Sequence, residues 1–222
     1  MSISVIRSDL RVDGSLSATS MTLPANSVLD TQVAASAAIA RSKLAQDSLL
    51  IYRINPGDWR VWDAPQTVLP NPSAADDLGL YNGTFGTAPW YIGTSDLKAA
   101  GATTRYARCR VRLPAEYVDG ETIAIRLGAG MITTVADGSA TIDVEAYKVG
   151  LDGAMGSDLC STSAASINSL TFADKDFTID GSGLVAGDEL DVRVAIAVSD
   201  AATGTAVIGA FRQAALLADV QG

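Results

Sequence analysis

The side chains best equipped for chemistry in this 222-residue chain are carboxylates, aromatics and two thiols, because the chain contains no histidine. That removes the commonest general base, the commonest metal ligand and every Ser-His triad. The acidic clusters are Asp76-Asp77 and the group Asp174, Asp176 and Asp180, which precedes Gly181. Paired carboxylates suit glycosidase-type acid–base work, and oxygen-rich loops suit calcium. The DxDxDG order with a closing Glu is missing, so no metal ligands are assigned. Gly181-Ser-Gly183-Leu-Val-Ala-Gly187 lacks the spacing of a phosphate-cradling loop and leads into a strand-like run, which predicts a hairpin connection instead. Neither a GxSxG elbow nor a P-loop is present. Asn82-Gly-Thr84 matches an N-glycosylation acceptor pattern, but with no secretory signal expected it reads as a turn. Cys109 and Cys160 have no CxxC spacing and are expected to be reduced, buried, small apolar residues. Trp59, Trp62, Trp90 and Tyr91 could stack on sugars, or anchor a core that is otherwise poor in rings. The expectation is a non-enzyme that needs no cofactor.

The elements that would carry these residues show strand periodicity. In Arg105–Leu113, Ala107, Cys109, Val111 and Leu113 share one face, and Arg108, Arg110 and Arg112 the other. Ile123, Ile125 and Leu127 alternate with small or polar neighbours. Ile142, Val144 and Ala146 alternate with Asp143, Glu145 and Tyr147. Leu190, Val192, Val194, Ile196 and Val198 form one unbroken face, Phe177 and Ile179 a shorter one, and a last strand is expected within Thr205–Val220. Gly/Asp turns at Val118–Gly120, Ala136–Gly138 and Ala186–Asp188 punctuate the runs. Residues 64–103 are rich in Pro, Gly and Asn and predict loops, with a short strand near Trp90–Ile92. The fold class expected is all-β: an antiparallel β-sandwich, jelly-roll-like, with an extended N-terminal arm containing a short helix. Arg108, Arg110 and Arg112 are expected to face Asp143 and Glu145 across strands, as a solvated sheet face or as a subunit interface.

The first 47 residues have a different texture. They contain no aromatic, yet carry Ile3, Val5, Leu10, Val12, Leu16, Val33 and Leu44. Such a segment is too apolar for a solvated tail and too thin to bury itself, so it needs a surface to lie on. Before Pro24 the spacing is strand-like; after it, Leu29, Val33, Ala37, Ala40 and Leu44 fall on one helical stripe behind a Ser27/Asp30 capping pair. The expected organisation is therefore an arm over 1–47 and a sandwich body over 48–222.

Charge separates the same two parts. The net charge is −9, while residues 1–50 balance Arg7, Arg11, Arg41 and Lys43 against Asp9, Asp13, Asp30 and Asp47. The excess sits on the body, which has the wrong sign for a nucleic-acid partner. Charges at Arg7, Asp9, Arg11 and Asp13 interrupt any signal-peptide-like run, and no stretch approaches the ~20 apolar residues of a membrane span, so neither secretory export nor a membrane partner is expected.

Asp9-Leu-Arg-Val-Asp-Gly-Ser-Leu-Ser, Leu23-Pro-Ala-Asn-Ser-Val-Leu-Asp30 and Ala34-Ala-Ser-Ala-Ala-Ile-Ala-Arg-Ser-Lys-Leu44 resemble the N-terminal segments of tailed-bacteriophage virion proteins. These include capsid decoration (cement) proteins, head fibres and some tail fibres. The stretch Asp176 to Val192 and the Ala/Val-rich final strand look like the sandwich that follows such arms. The resemblance implies a structural protein on the outer capsid surface of a virion, made in the host cytoplasm. It would be a homotrimer that binds the major capsid protein and stabilises the shell. Ile3, Val5, Leu10, Val12, Leu16, Val33 and Leu44 would be the attachment residues. The alternative is a tail-fibre or receptor-binding module recognising host surface glycan.

Overall fold

A computed structural model describes residues 47–201 and 204–221. The seven arm residues named above, and the arm helix, lie outside the described residues. Strand β1 spans Asp47–Arg53, β2 Gly79–Tyr81, β3 Tyr91–Gly93, β4 Gly101–Arg112, β5 Ile123–Met131 and β6 Ser139–Val149. After these come β7 at Met155–Asp158, β8 at Ala165–Ser166, β9 at Ala173–Ile179, β10 at Glu189–Asp200 and β11 at Gly209–Gln221. Among the described residues a 3-10 turn, Pro56–Asp58, follows β1. No helix among the described residues is long and apolar enough to cross a membrane.

The strands form two antiparallel sheets. One runs β2-β3-β11-β5-β9, with β1 paired to β11; the other runs β4-β10-β6-β7, with β8 paired to β6. Without the β2–β3 insertion and the two-residue β8, the sheets are β1-β11-β5-β9 and β4-β10-β6-β7. In chain order the eight strands fall first, second, first, second, second, first, second, first. That is the jelly-roll order, in which the first and last strands pair at the edge of one sheet. The connection Gly181–Asp188 therefore crosses from β9 in one sheet to β10 in the other. It is not the hairpin its glycines predict, although Gly187 does take the left-handed conformation (φ 84°) that its turn requires.

Period-two patterning explains why the sheets pack. Cys109 and Val111 on β4, Val192, Val194 and Ile196 on β10, and Ile142 and Val144 on β6 meet Ile125, Leu127, Phe177, Phe211 and Leu216 from the opposite sheet, all buried. Trp59 is 1% exposed and meets Phe211 edge-on at 5.2 Å, so it is a core anchor and not a sugar platform. Cys109 is buried, where desolvation pushes its thiol up; Cys160 is only half-buried, contrary to expectation, and both are free thiols.

Candidate binding faces of the two sheets

The outer face of the β4-β10-β6-β7 sheet gathers the charged residues singled out by the sequence. Arg108, Arg110 and Arg112 do not meet Asp143 and Glu145, because β10 lies between β4 and β6. The partners come from β10. Arg108 donates from Nε to Asp191 Oδ1 at 2.5 Å and from its second arm to Asp191 Oδ2. Arg110 donates to Glu189 Oε1 at 3.0 Å and lies 3.4 Å from Asp191 Oδ2. Arg112 caps the Gly187 carbonyl at 2.9 Å. Glu145 pairs with Arg193 instead, at 2.6 and 2.7 Å, and accepts a bond from the Tyr147 hydroxyl. Asp143 accepts the Val144 N–H at 3.0 Å; desolvation, reinforced by the Glu145 and Asp158 charges, raises its carboxyl above the usual range.

The register explains why these pairs form. Arg193 stands directly opposite Arg108, a like-charge juxtaposition that destabilises a sheet unless each charge is claimed elsewhere. Asp191 claims Arg108 along the diagonal, and Glu145 claims Arg193. Those hydrogen bonds hold both guanidinium groups above their ordinary range. Arg193 also lies over the rings of Trp62 (5.3 Å) and Tyr106 (5.0 Å), which covers one face of each ring. A cleft of about 290 Å³ remains between Trp62, Tyr147, Met155 and the ion pairs.

The opposite outer face, on the β1-β11-β5-β9 sheet, carries Asp174 and Asp176 of the acidic cluster together with arginines that the sequence did not single out. Arg126 on β5 forks onto Asp176 of β9 with both bonds at 2.6 Å and reaches Asp174 at 3.5 Å. The guanidinium holds the Asp176 carboxyl below its usual range. This uses two of the three carboxylates considered above as a cation cluster. The third, Asp180, accepts the Ser182 N–H, and no group of three metal-ligating side chains exists among the described residues. A cleft of about 310 Å³ opens beside the pair, lined by Arg53, Trp90, Arg126, Asp174, Arg212 and Gln213 among others. Trp90 is half-buried and packs on the core, while Tyr91 stacks on Tyr81 at 4.6 Å.

Strand β1, also missed, borders this cleft. Its register with β11 puts Leu50 and Tyr52 opposite the core-facing Ala218 and Leu216, and Leu49 and Ile51 on the outer side. Among the described residues neither side is covered: the four side chains are 56%, 36%, 56% and 55% exposed in chain order.

No protein-family model and no curated protein matches the sequence. Among solved structures, the chain is similar to the CBM22-1–GH10 modules of Clostridium thermocellum xylanase 10B (9% identity, TM-score 0.40). That match covers 76% of this chain and 28% of the xylanase chain. It is also similar to the CBM22-2 xylan-binding domain of Paenibacillus barcinonensis Xyn10C (12%, TM-score 0.39, 74% and 93% covered). A third likeness is to a chain of infectious bursal disease virus, Gt strain (13%, TM-score 0.33, 68% and 34% covered). None of the three reaches a TM-score of 0.5, and no function is carried over from them.

Proposed function

We propose that this chain is a non-catalytic structural protein of a phage-type virion, which decorates the outer capsid surface as a homotrimer and stabilises the shell. The observation that carries the reading is β1. An edge strand exposing Leu49, Leu50, Ile51 and Tyr52 on both faces is a template for association and calls for cover. Covering four half-exposed side chains gains about 1 kcal/mol each, ~4 kcal/mol per subunit, repeated around an oligomer. β1 also follows directly on residues 1–46, so the apolar edge and the proposed anchor (Ile3, Val5, Leu10, Val12, Leu16, Val33, Leu44) are continuous in sequence. The major capsid protein would receive the anchor, and other copies the edge.

Sedimentation of the full chain alone and with capsids tests this. A trimer that loads onto capsids is expected; Leu49→Ser/Ile51→Ser should shift it toward monomer, and deletion of residues 1–24 should abolish loading while the body stays folded. A monomeric wild type, or a truncation that still decorates, overturns the respective half. A second reading, a receptor-binding module recognising host glycan, is favoured by the Trp90-walled cleft on the same sheet.

A further inference from the structure

We infer that the cleft bordered by β1, β11, β5 and β9 is a binding site for a carboxylate-bearing saccharide unit, an inference that rests on the second, glycan-binding reading. Three arginines, Arg53, Arg126 and Arg212, line it against one carboxylate, Asp174. Counting Asp176, which also engages Arg126, the site carries a formal excess of one positive charge (three Arg less two Asp) in a chain of net charge −9. Arg126 is spoken for by its two aspartates. Arg53 and Arg212 form no ion pair among the described residues, and the Nε of Arg212 is buried without a hydrogen-bond partner. A buried guanidinium donor left unpaired is costly unless a ligand completes it.

The backbone is built to present that donor. Between Phe211 and Gln213 the pairing of β11 with β5 shifts register, and Arg212 is the extra residue of the bulge. Bulges re-aim side chains and recur beside functional sites. Arg212 lies 4.2 Å above the Phe172 ring, which fixes its guanidinium plane. Gly128 and Gly130 let side chains lie directly on β5; a Cβ on Gly130 would come within 2.9 Å of the Phe172 ring, so its absence lets Phe172 support Arg212. The volume, about 310 Å³, lies at the small end of the ~300–1,000 Å³ typical of ligand sites.

These parts specify the ligand class. A planar guanidinium with free donors matches a carboxylate in bidentate geometry. Trp90, Ile51, Ile54 and Pro56 supply the apolar and aromatic wall that receives the C–H face of a pyranose. Gln213, exposed at the rim, offers both a donor and an acceptor for ring hydroxyls. Sialic and uronic acids combine the three features.

The test is an array of neutral, carboxylated and sulfated glycans, followed by titration of the full chain with matched pairs that differ only in the carboxylate. Carboxylated members should bind at least tenfold more tightly than their neutral counterparts and weaken with salt. Arg212→Met and Arg53→Met should each lose that preference tenfold or more, while Arg110→Met on the other sheet retains it; thermal melts of each variant control for folding. Equal affinity for neutral and carboxylated glycans, or a preference for sulfated ones, overturns the acidic-sugar assignment and leaves glycan binding standing. No binding to any glycan overturns both.

Discussion

Removing the Asp191 carboxylate should cost this protein more stability than any other single charge deletion on the β4-β10-β6 face. Asp191 is 3% exposed and receives two hydrogen bonds from Arg108, with Arg110 behind at 3.4 Å. Breaking a buried pair by deleting one partner typically costs about 3–5 kcal/mol. Arg108 keeps 24% exposure, so water recovers part of its solvation and the lower end applies. Against that, Asp191→Ala strips the counter-charge from Arg108 directly opposite Arg193, restoring a like-charge contact. The net expectation is roughly 3–4 kcal/mol, which for a protein of this size lowers Tm by roughly 6–16 °C. Urea unfolding of the full chain measures it, with Arg108→Met, Asp191→Leu and their double variant closing a cycle. The double variant should recover most of the loss, because an apolar pair of similar volume replaces a buried ion pair at little cost. A loss below ~0.5 kcal/mol for Asp191→Ala, or a double variant equal to the sum of the singles, refutes the assignment of Asp191 as the charge that organises this face.

Two further outcomes follow from particular side chains. Asp143 has a carboxyl raised above its unfolded value by desolvation, so its ionised form disfavours the fold at neutral pH, and the penalty disappears once pH falls below the unfolded pKa of about 3.9. Asp143→Asn, which keeps the oxygen that accepts the Val144 N–H, should therefore raise Tm at pH 7 and match the wild type near pH 3; an advantage that persists at low pH would refute the desolvation argument. Gly130→Val forces a Cβ against the Phe172 ring and the Ser169 carbonyl and should cost about 1–3 kcal/mol in urea unfolding, whereas Gly183→Ala, with nothing within 4 Å, should leave the midpoint unchanged.

Strict alternation made the long strands of the second sheet legible. Ala107 to Leu113 and Ile142 to Ala146 each bury one parity of residue, as does Leu190 to Val198 apart from the ion-paired Asp191, and β4, β6 and β10 coincide with those runs to within a few residues. β1 was not legible for the same reason. Its Leu-Leu-Ile-Tyr run puts apolar residues on both parities, and the structure shows no favoured parity: neither face is buried among the described residues. Arg212 leaves no trace of its role in the sequence, because Ala214 to Ala218 are apolar and buried on both parities and the bulge that presents Arg212 is set by pairing with β5. The pairing of Arg108, Arg110 and Arg112 was half legible. Their shared face follows from period two, but the intervening position of β10 follows from jelly-roll winding, which links strands 77 residues or more apart and leaves no local trace. Trp59, Trp62 and Trp90 look alike in sequence, yet the fold sends one into the core, one onto the outer face of a sheet beside Arg193, and one to the wall of a cleft.

The two outer faces also differ in what they leave unfinished, and that difference bears on function. On the β4-β10-β6 face, Arg108, Arg110 and Arg193 each find an acidic partner within the chain, and Arg193 covers one face of each aromatic ring beside it. Such a face sets strand register and has little left to offer a partner. On the β1-β11-β5-β9 face, four apolar side chains of β1 are half-exposed, Arg212 keeps a buried donor unpaired, and Arg53 has no counter-charge among the described residues. Unsatisfied groups that persist in a fold otherwise well packed are where a partner contributes most free energy, because the protein has already borne their desolvation. Attachment between copies along β1 and ligand binding in the adjoining cleft would thus share one sheet, with Ile51 common to both. Oligomerisation through β1 would then alter the cleft rim directly, so glycan affinity and assembly state should be coupled in this protein rather than independent.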